Sequence, residues 1–236
     1  MRMNPSRFQK ELEALEIDLT STQETQLNRY YELLIEWNER MNLTGITEKE
    51  QVYLKHFYDS ATLQKVIDLN QVTTLCDVGT GAGFPGLVLK ILFPKLKVTL
   101  VDSLQKRIHF LDQVIQELEL TDIQTVHARA EEFAKEHIEQ YDVVTARAVA
   151  TLPILLEYCM PMVKKDGYFI PMKANAKEEL EQSTHALQVL HGSVEKVQEF
   201  SLPIEESHRT LVKIKKEESC PKRYPRKYSE MKKRPL

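Results

Sequence analysis

The sequence predicts an α/β fold: a mostly parallel sheet with helices on both faces and a helical extension in front of it. Three observations carry this. Short β-prone runs alternate with amphipathic stretches between residues 72 and 190. A glycine-rich loop leaves the first run and enters a helix-compatible stretch, the place where open α/β sheets bind ligands. Residues 1–65, by contrast, read as helical. The organisation that follows is a helical extension over residues 1–70, an α/β domain over 71–218 and a tail over 219–236.

Along the chain, Ser21-Thr22-Gln23-Glu24 reads as a capping box at a helix start. Leu27, Tyr30, Tyr31, Leu34, Trp37 and Met41 follow at spacings of three and four, one apolar face that packs against the rest of the protein. Asn42-Leu43-Thr44-Gly45 breaks this helix, and Thr47-Glu48-Lys49-Glu50 reads as a second capping box. Strands are expected over 72–78, 97–101, 123–126, 141–145, 167–172, 194–200 and 210–214, seven in all. Helices are expected over 86–93, 103–120, 151–163 and 176–190, with Pro153 tolerated in a first turn. The last two strands leave no room for a crossover helix, so an antiparallel pairing is expected there.

Composition narrows the function classes. A 236-residue chain that is 42% hydrophobic and 28% charged is globular, with enough length for a real core. It has only seven glycines, which excludes collagen-like, linker-like and glycine-punctuated all-β classes. Four of them, Gly79, Gly81, Gly83 and Gly86, fall within eight positions. No apolar run is long enough for a transmembrane helix, and the charged N-terminus lacks the apolar core of a signal peptide. Cys76, Cys159 and Cys220 are few, odd in number and far apart, without CxxC or zinc spacing. That favours a reduced, cytoplasmic setting and no metal site. The net charge of −3 conceals an asymmetry. From Lys213 onward there are ten Lys/Arg and three Glu, a net of +7 on a body of −10. Such a tail suits either a polyanion contact or a solvated terminus.

The segment from Asp77 to Gly86 is the candidate binding loop. Glycine there lets the backbone turn sharply and a ligand lie on peptide groups. Asp102 ends the next strand 21 residues beyond Gly81, where a carboxylate can accept from both ribose hydroxyls. Gly81-x-Gly83-x-x-Gly86 formally matches a dinucleotide fingerprint, so a nicotinamide-dependent oxidoreductase is one reading. Pro85 removes a donor from the helix N-terminus that would hold a pyrophosphate, and the D-V-G-T-G-A-G loop resembles motif I of Rossmann-like methyltransferases. After the third strand, the backbone at Ala130 and the Glu131 carboxylate could read an adenine edge. Arg147 closes the fourth strand beside the expected methyl-donor site, where a guanidinium needs an anion or acceptor. No Asn/Asp-Pro-Pro-aromatic tetrapeptide stands there, and no cysteine is placed as a nucleophile. His56, His109 and His185 read as surface or packing groups.

The sequence resembles the bacterial small-subunit ribosomal RNA methyltransferase G family, also called glucose-inhibited division protein B. The resemblance runs almost end to end. It is carried by Trp37-Asn38, Met41-Asn42-Leu43-Thr44, His56-Phe57, Asp59-Ser60, the loop from Asp77 through Phe84-Pro85-Gly86, and Asp102-Ser103 with Lys106-Arg107. Arg129-Ala130-Glu131, Arg147-Ala148, Met172-Lys173 and Tyr224-Pro225-Arg226-Lys227 complete it. After Lys227 the family's Gly-Thr-Pro-like turn is replaced by Tyr228-Ser229-Glu230-Met231. The resemblance implies a Rossmann-like class I methyltransferase that uses S-adenosylmethionine to methylate N7 of a guanine in 16S ribosomal RNA, without a covalent intermediate. It implies cofactor contacts at Gly79, Phe84, Ala130, Glu131 and Arg147, to which Gly81, Gly83 and Asp102 are added from the loop and ribose arguments. Arg147 is expected to orient donor and guanine, and Lys173 to contact phosphate or base. Lys106, Arg107, Lys222, Arg223, Arg226 and Lys227 are expected to contact RNA phosphates. The expected partner is small-subunit RNA or the small ribosomal subunit, engaged by a cytoplasmic monomer with no membrane and no metal. A non-catalytic RNA-binding assembly factor is the non-enzymatic alternative.

Overall fold

In the computed structural model, which describes residues 3–205 and 207–236, seven strands form one sheet. The strands are β1 (Thr74–Val78), β2 (Lys97–Asp102), β3 (Ile123–His127), β4 (Tyr141–Arg147), β5 (Val163–Lys173), β6 (Gly192–Ser201) and β7 (His208–Lys216), in the order β3-β2-β1-β4-β5-β7-β6. β1 to β5 pair in parallel, and β7 runs antiparallel to both β5 and β6, as the short final connection predicts. The order reverses between β1 and β4, so a ligand crevice opens at their carboxyl ends. Register aligns those ends: Val78 faces Val101, Asp102 faces His127, and Arg147 faces Met172.

The N-terminal helices are α1 (Pro5–Glu13), α2 (Ser21–Met41), α3 (Lys49–Val52) and α4 (Asp59–Ala61), with a wide turn at Tyr53–Tyr58 between the last two. After β1 come α5 (Gly86–Leu92), α6 (Gln105–Glu117), α7 (Ala130–Glu136), α8 (Leu152–Cys159), α9 (Lys177–Gln182), α10 (Thr184–Val189) and α11 (Tyr228–Lys233). Phe8, Leu27, Tyr30 and Phe57 share one hydrophobic cluster with α5, α6 and one sheet face. Leu155 and Leu156 of α8 build the other cluster, together with Tyr224 and Met231 of the tail.

Three sequence expectations shift. The first capping box uses Thr20 and Gln23, one residue earlier than expected: Gln23 N–H donates to Thr20 Oγ1 at 3.3 Å and Thr20 N–H to Gln23 Oε1 at 2.9 Å. The Gln23 amide also donates to the Ile91 and Leu92 carbonyls at 2.8 and 3.0 Å, a long-range tie that selects this register. The second expected box is absent: Glu48 caps α3 without a side-chain hydrogen bond, and the Thr47 carbonyl accepts from the Tyr31 hydroxyl. The helix expected over 176–190 breaks at buried Ser183, whose hydroxyl turns back to the Glu179 carbonyl at 2.6 Å.

The tail is anchored. Glu157 of α8 is fully buried and takes three bonds from Arg226: backbone N–H and Nε to Oε1 at 3.0 and 2.7 Å, and Nη2 to Oε2 at 2.5 Å. This fork occupies the guanidinium expected to meet an RNA phosphate. Arg226→Ala would strand a buried carboxylate, at a cost of about 3 kcal/mol. The expected outcome is a Tm lower by roughly 10 °C in a thermal melt; an unchanged Tm would show that the fork contributes nothing.

Candidate functional site

β1 delivers the chain into the glycine loop, and the loop's own bonds set its shape. Gly79 and Thr80 N–H donate to the Val101 carbonyl at 2.8 and 3.1 Å, while Gly83 and Phe84 N–H donate to the Thr80 carbonyl at 2.9 and 3.0 Å. Gly79, Gly81 and Gly83 all have positive φ. Their hydrogens face different surroundings. A Cβ at Gly83 would lie 2.5 Å from the Tyr30 hydroxyl, so this glycine admits α2 and does not face a ligand. At Gly86 a Cβ would lie 2.4 Å from Leu100, and at Gly79 2.6 Å from Val149. Only Gly81 looks onto open space. Tyr30, fully buried, donates its hydroxyl to the Ala82 carbonyl and so fastens the helical segment to the loop.

Asp77 lies under the loop with no exposure. Its Oδ2 accepts from Thr80 Oγ1 at 2.6 Å and from Gly86 N–H, the first amide of α5, at 2.8 Å. Burial pushes its pKa up to about 6 against these bonds. Because a carboxylate already occupies the start of α5, an anionic pyrophosphate there would meet like charge, which disfavours the dinucleotide reading. Asp77 Oδ1 is buried and has no hydrogen-bond partner, a polar atom suited to a cationic ligand group. The unpartnered oxygen, the open face of Gly81 and the acid at the end of β2 together fit a ligand that carries an ammonium and a ribose.

That acid, Asp102, is 2% exposed and already accepts three hydrogen bonds. Gly81 N–H and Arg107 Nη1 reach Oδ2 at 2.9 and 3.1 Å, and Leu104 N–H reaches Oδ1 at 2.9 Å. Arg107 is therefore paired with Asp102, where a phosphate contact was expected. Lys106, beside it on α6, is exposed. Ala130 and Glu131 open α7, half-buried, after the Arg129 N-cap.

The chemistry-bearing end of β4 is built around a buried carboxylate. Asp59, 2% exposed, starts α4; its Oδ2 meets Arg147 Nη1 at 3.0 Å and its Oδ1 meets Arg209 Nε at 2.9 Å. Arg147 Nη1 also donates to the Lys55 carbonyl at 3.1 Å, and its guanidinium lies 5.2 Å from the Phe84 ring centroid. His56 stacks on the same Phe84 ring, with centroids 4.4 Å apart, and meets Thr44 Oγ1 at 2.8 Å. Burial, with the Arg147 charge, lowers the His56 pKa to about 3. Phe84 is thus a buried stacking platform between loop and cleft.

His56, Asp59, Arg147 and Arg209 line a cleft of about 450 Å³ together with Lys55, Met172, Lys173 and Ala174. Lys173 does reach the cleft from the end of β5, but its ammonium is bound to Glu179 at 2.8 Å and to the Ala150 carbonyl at 2.6 Å. Its first task is to hold the segment after Arg147, where Ala148 has a φ of +56°. Lys55 is likewise paired with Glu205 at 2.9 Å. Lys222, Arg223 and Lys227 lie elsewhere, exposed on the tail.

Sequence reasoning missed Asp59, His56 and Arg209 as members of the site. Asp59 and His56 stood in segments shared with the family, but Asp59 carried no assigned role and His56 was read only as a surface or packing group. Arg209 had no local signal, since its partner is 150 residues away. Among the described residues, no cluster of three or more His, Cys, Asp or Glu could hold a metal ion, and no helix is long and apolar enough to cross a membrane.

Comparison with known proteins agrees with this geometry. The family described as rRNA small subunit methyltransferase G matches residues 23–211. A ribosomal RNA small subunit methyltransferase G of Bacillus licheniformis is 53% identical over 237 residues, 99% of each chain. One of Bacillus cytotoxicus is 54% identical over 228 residues, 95% of each. Among solved structures, a SAM dependent methyltransferase from Aquifex aeolicus superposes with a TM-score of 0.54 at 17% identity, covering 73% of this chain and 96% of that one. M. jannaschii TYW2 in complex with AdoMet gives 0.51 at 14%, covering 61% and 68%. These two likenesses are of fold, the Rossmann-like class I methyltransferase sheet. The family match and the two Bacillus relatives, each above half identity over nearly the whole length, show that this chain belongs to the ribosomal RNA small subunit methyltransferase G family.

Proposed function

We propose that this protein is an S-adenosylmethionine-dependent methyltransferase acting on N7 of a guanine in 16S ribosomal RNA. The observation that carries the proposal is Arg147, fixed by Asp59 and the Lys55 carbonyl between the glycine loop and the cleft. When bound, the cofactor supplies an electrophilic methyl group on a sulfonium. Asp102 and Gly81 would hold its ribose, Asp77 Oδ1 its ammonium, Ala130 and Glu131 its adenine, and the backbone at Gly79 its amino-acid end. Gly83 supports this site by admitting Tyr30. The three free cysteines support a cytoplasmic setting.

Guanine N7 offers a lone pair and has no proton to lose, so the reaction needs orientation and charge stabilisation more than a base. The cleft suits that demand. His56 stays neutral and is a weak base, and both Asp59 oxygens are already occupied by guanidiniums. Arg147, always charged, can donate toward the guanine while its stack on Phe84 fixes its plane. Lys173 acts as a positioning residue for residues 148–151 and adds positive potential at the cleft wall. A covalent route lacks a nucleophile. Cys76 and Cys159 are fully buried with thiol pKa values raised by burial, and that of Cys220 is pushed up to about 11.

Three outcomes test this. Arg147→Ala is expected to slow single-turnover methylation of undermethylated small subunits by about 100-fold; an unchanged rate would remove Arg147 from the chemistry. The single-turnover rate of the unaltered enzyme is expected to be flat between about pH 7 and 8.5, because Asp77 has lost its proton above about 6 and His56 above about 3. A sigmoidal rise centred in that range would reveal a general base. Arg107→Gln leaves Asp102 its two backbone donors, so calorimetry with S-adenosylhomocysteine is expected to show affinity equal to or above that of the unaltered protein. A loss of about tenfold or more would make Arg107 a direct cofactor ligand.

A further inference from the structure

The cations of the cleft are already spoken for: Arg147 and Arg209 by Asp59, Lys55 by Glu205, Lys173 by Glu179. The opposite holds for a second concavity, a groove of about 770 Å³ between the tail and the end of α7. Lys135, Lys222, Arg223 and Lys227 line it, all exposed and without a carboxylate partner among the described residues. Glu230 is the single carboxylate in its lining. The groove is built on fixed backbone. The Arg226–Glu157 fork pins its floor, and Tyr224 is 5% exposed beneath the Arg223 guanidinium, 4.9 Å from the ring centroid. Cations on an anchored segment lose little conformational freedom when they meet an anion.

The groove also lies at the far end of the sheet. Its wall includes Ile138, just before β4, and Pro161, just before β5, so it sits at the amino ends of those strands. Arg147 is at the carboxyl end of β4, six residues beyond Tyr141, about 20 Å away at roughly 3.3 Å per residue. A polyanion reaching the cleft must approach a body with a net charge of −10, and this groove gathers four cations that have no carboxylate partner among the described residues.

We propose that this groove is a second phosphate-backbone site for small-subunit ribosomal RNA, holding a strand remote from the methylated base. The inference rests on the ribosomal RNA reading above. It assigns affinity to Lys135, Lys222, Arg223 and Lys227 and no part in methyl transfer. It removes Arg226 from the RNA contacts and adds Lys135, which lies outside the tail.

The test compares the full-length protein with a variant carrying Lys135→Gln, Lys222→Gln, Arg223→Gln and Lys227→Gln. Binding to protein-free 16S RNA and to undermethylated small subunits is measured across a salt series, beside single-turnover methylation and S-adenosylhomocysteine affinity. The expected result is RNA affinity weaker by about tenfold or more near physiological salt. The salt slope is expected to fall by about 3, from roughly 0.7–0.9 for each of four contacts. Cofactor affinity and the methylation rate at saturating RNA stay unchanged. Unaltered RNA affinity and slope would overturn the proposal. So would weakened binding to the subunit with intact binding to protein-free RNA, which would make the groove a contact for a ribosomal protein. Should the fourfold variant lose cofactor affinity as well, Lys135→Gln alone decides, with an expected slope change of about 1 and no change overturning the proposal. Failure of the unaltered enzyme to methylate 16S RNA would overturn the functional reading instead, a result separate from the binding series.

Discussion

The buried Asp59 carboxylate is the constraint on which the site depends. Its two oxygens tie the helical extension to β4 through Arg147 and to the antiparallel strand β7 through Arg209. A carboxylate this deep is costly unless both oxygens are matched by well-directed donors, and here each has a guanidinium. The consequence is geometric. Arg147 cannot sweep through rotamers while it holds Asp59, so its outer face stays over Phe84 and beside the cleft. The extension is therefore part of the site's wall, contributing Ile46, Lys55, His56 and Asp59 to it.

The same coupling explains the glycine loop. Tyr30 of α2 reaches the Ala82 carbonyl, and only a glycine at position 83 leaves room for it. Phe84, packed by Tyr30, Phe57 and His56, passes that contact on to Arg147. Most of the loop's glycine serves the approach of other parts of the chain, and Gly81 alone opens outward. A motif that looks like a ligand cradle in sequence is largely a packing solution that leaves one face free.

Much of the fold was legible because strand and helix periodicity are local. Seven runs predicted seven strands, and the short connection after β6 predicted its antiparallel pairing. The loop, Asp102 and Arg147 were legible for the same reason: each sits at a strand end that the pattern marks. Partnership was not legible. Arg107 and Arg226 read as phosphate ligands because a basic residue shows its charge in sequence and hides its neighbour. Asp102, five residues before Arg107, turns back onto it only through the geometry of the loop into α6, and Glu157 is brought to Arg226 across 69 residues by the folded chain. Asp59 and Arg209 lie 150 residues apart, beyond any periodicity. The capping register moved by one residue because Gln23 also serves the end of α5, a tertiary tie that no capping motif encodes.

Charge is divided in a way that follows from these partnerships. A cleft that must admit a guanine beside a cationic methyl donor gains little from bare positive charge, which would repel that donor. Pairing each cleft cation with a carboxylate or carbonyl keeps donors for orientation while it lowers the local field. Attraction for a long polyanion is then separated in space, onto an exposed basic groove whose backbone is locked by a buried ion pair. The Glu157–Arg226 fork is thus to the groove what Asp59 is to the cleft. In both places a buried carboxylate consumes arginine charge, two residues at Asp59 and one at Glu157, so that the chain beside it holds its shape.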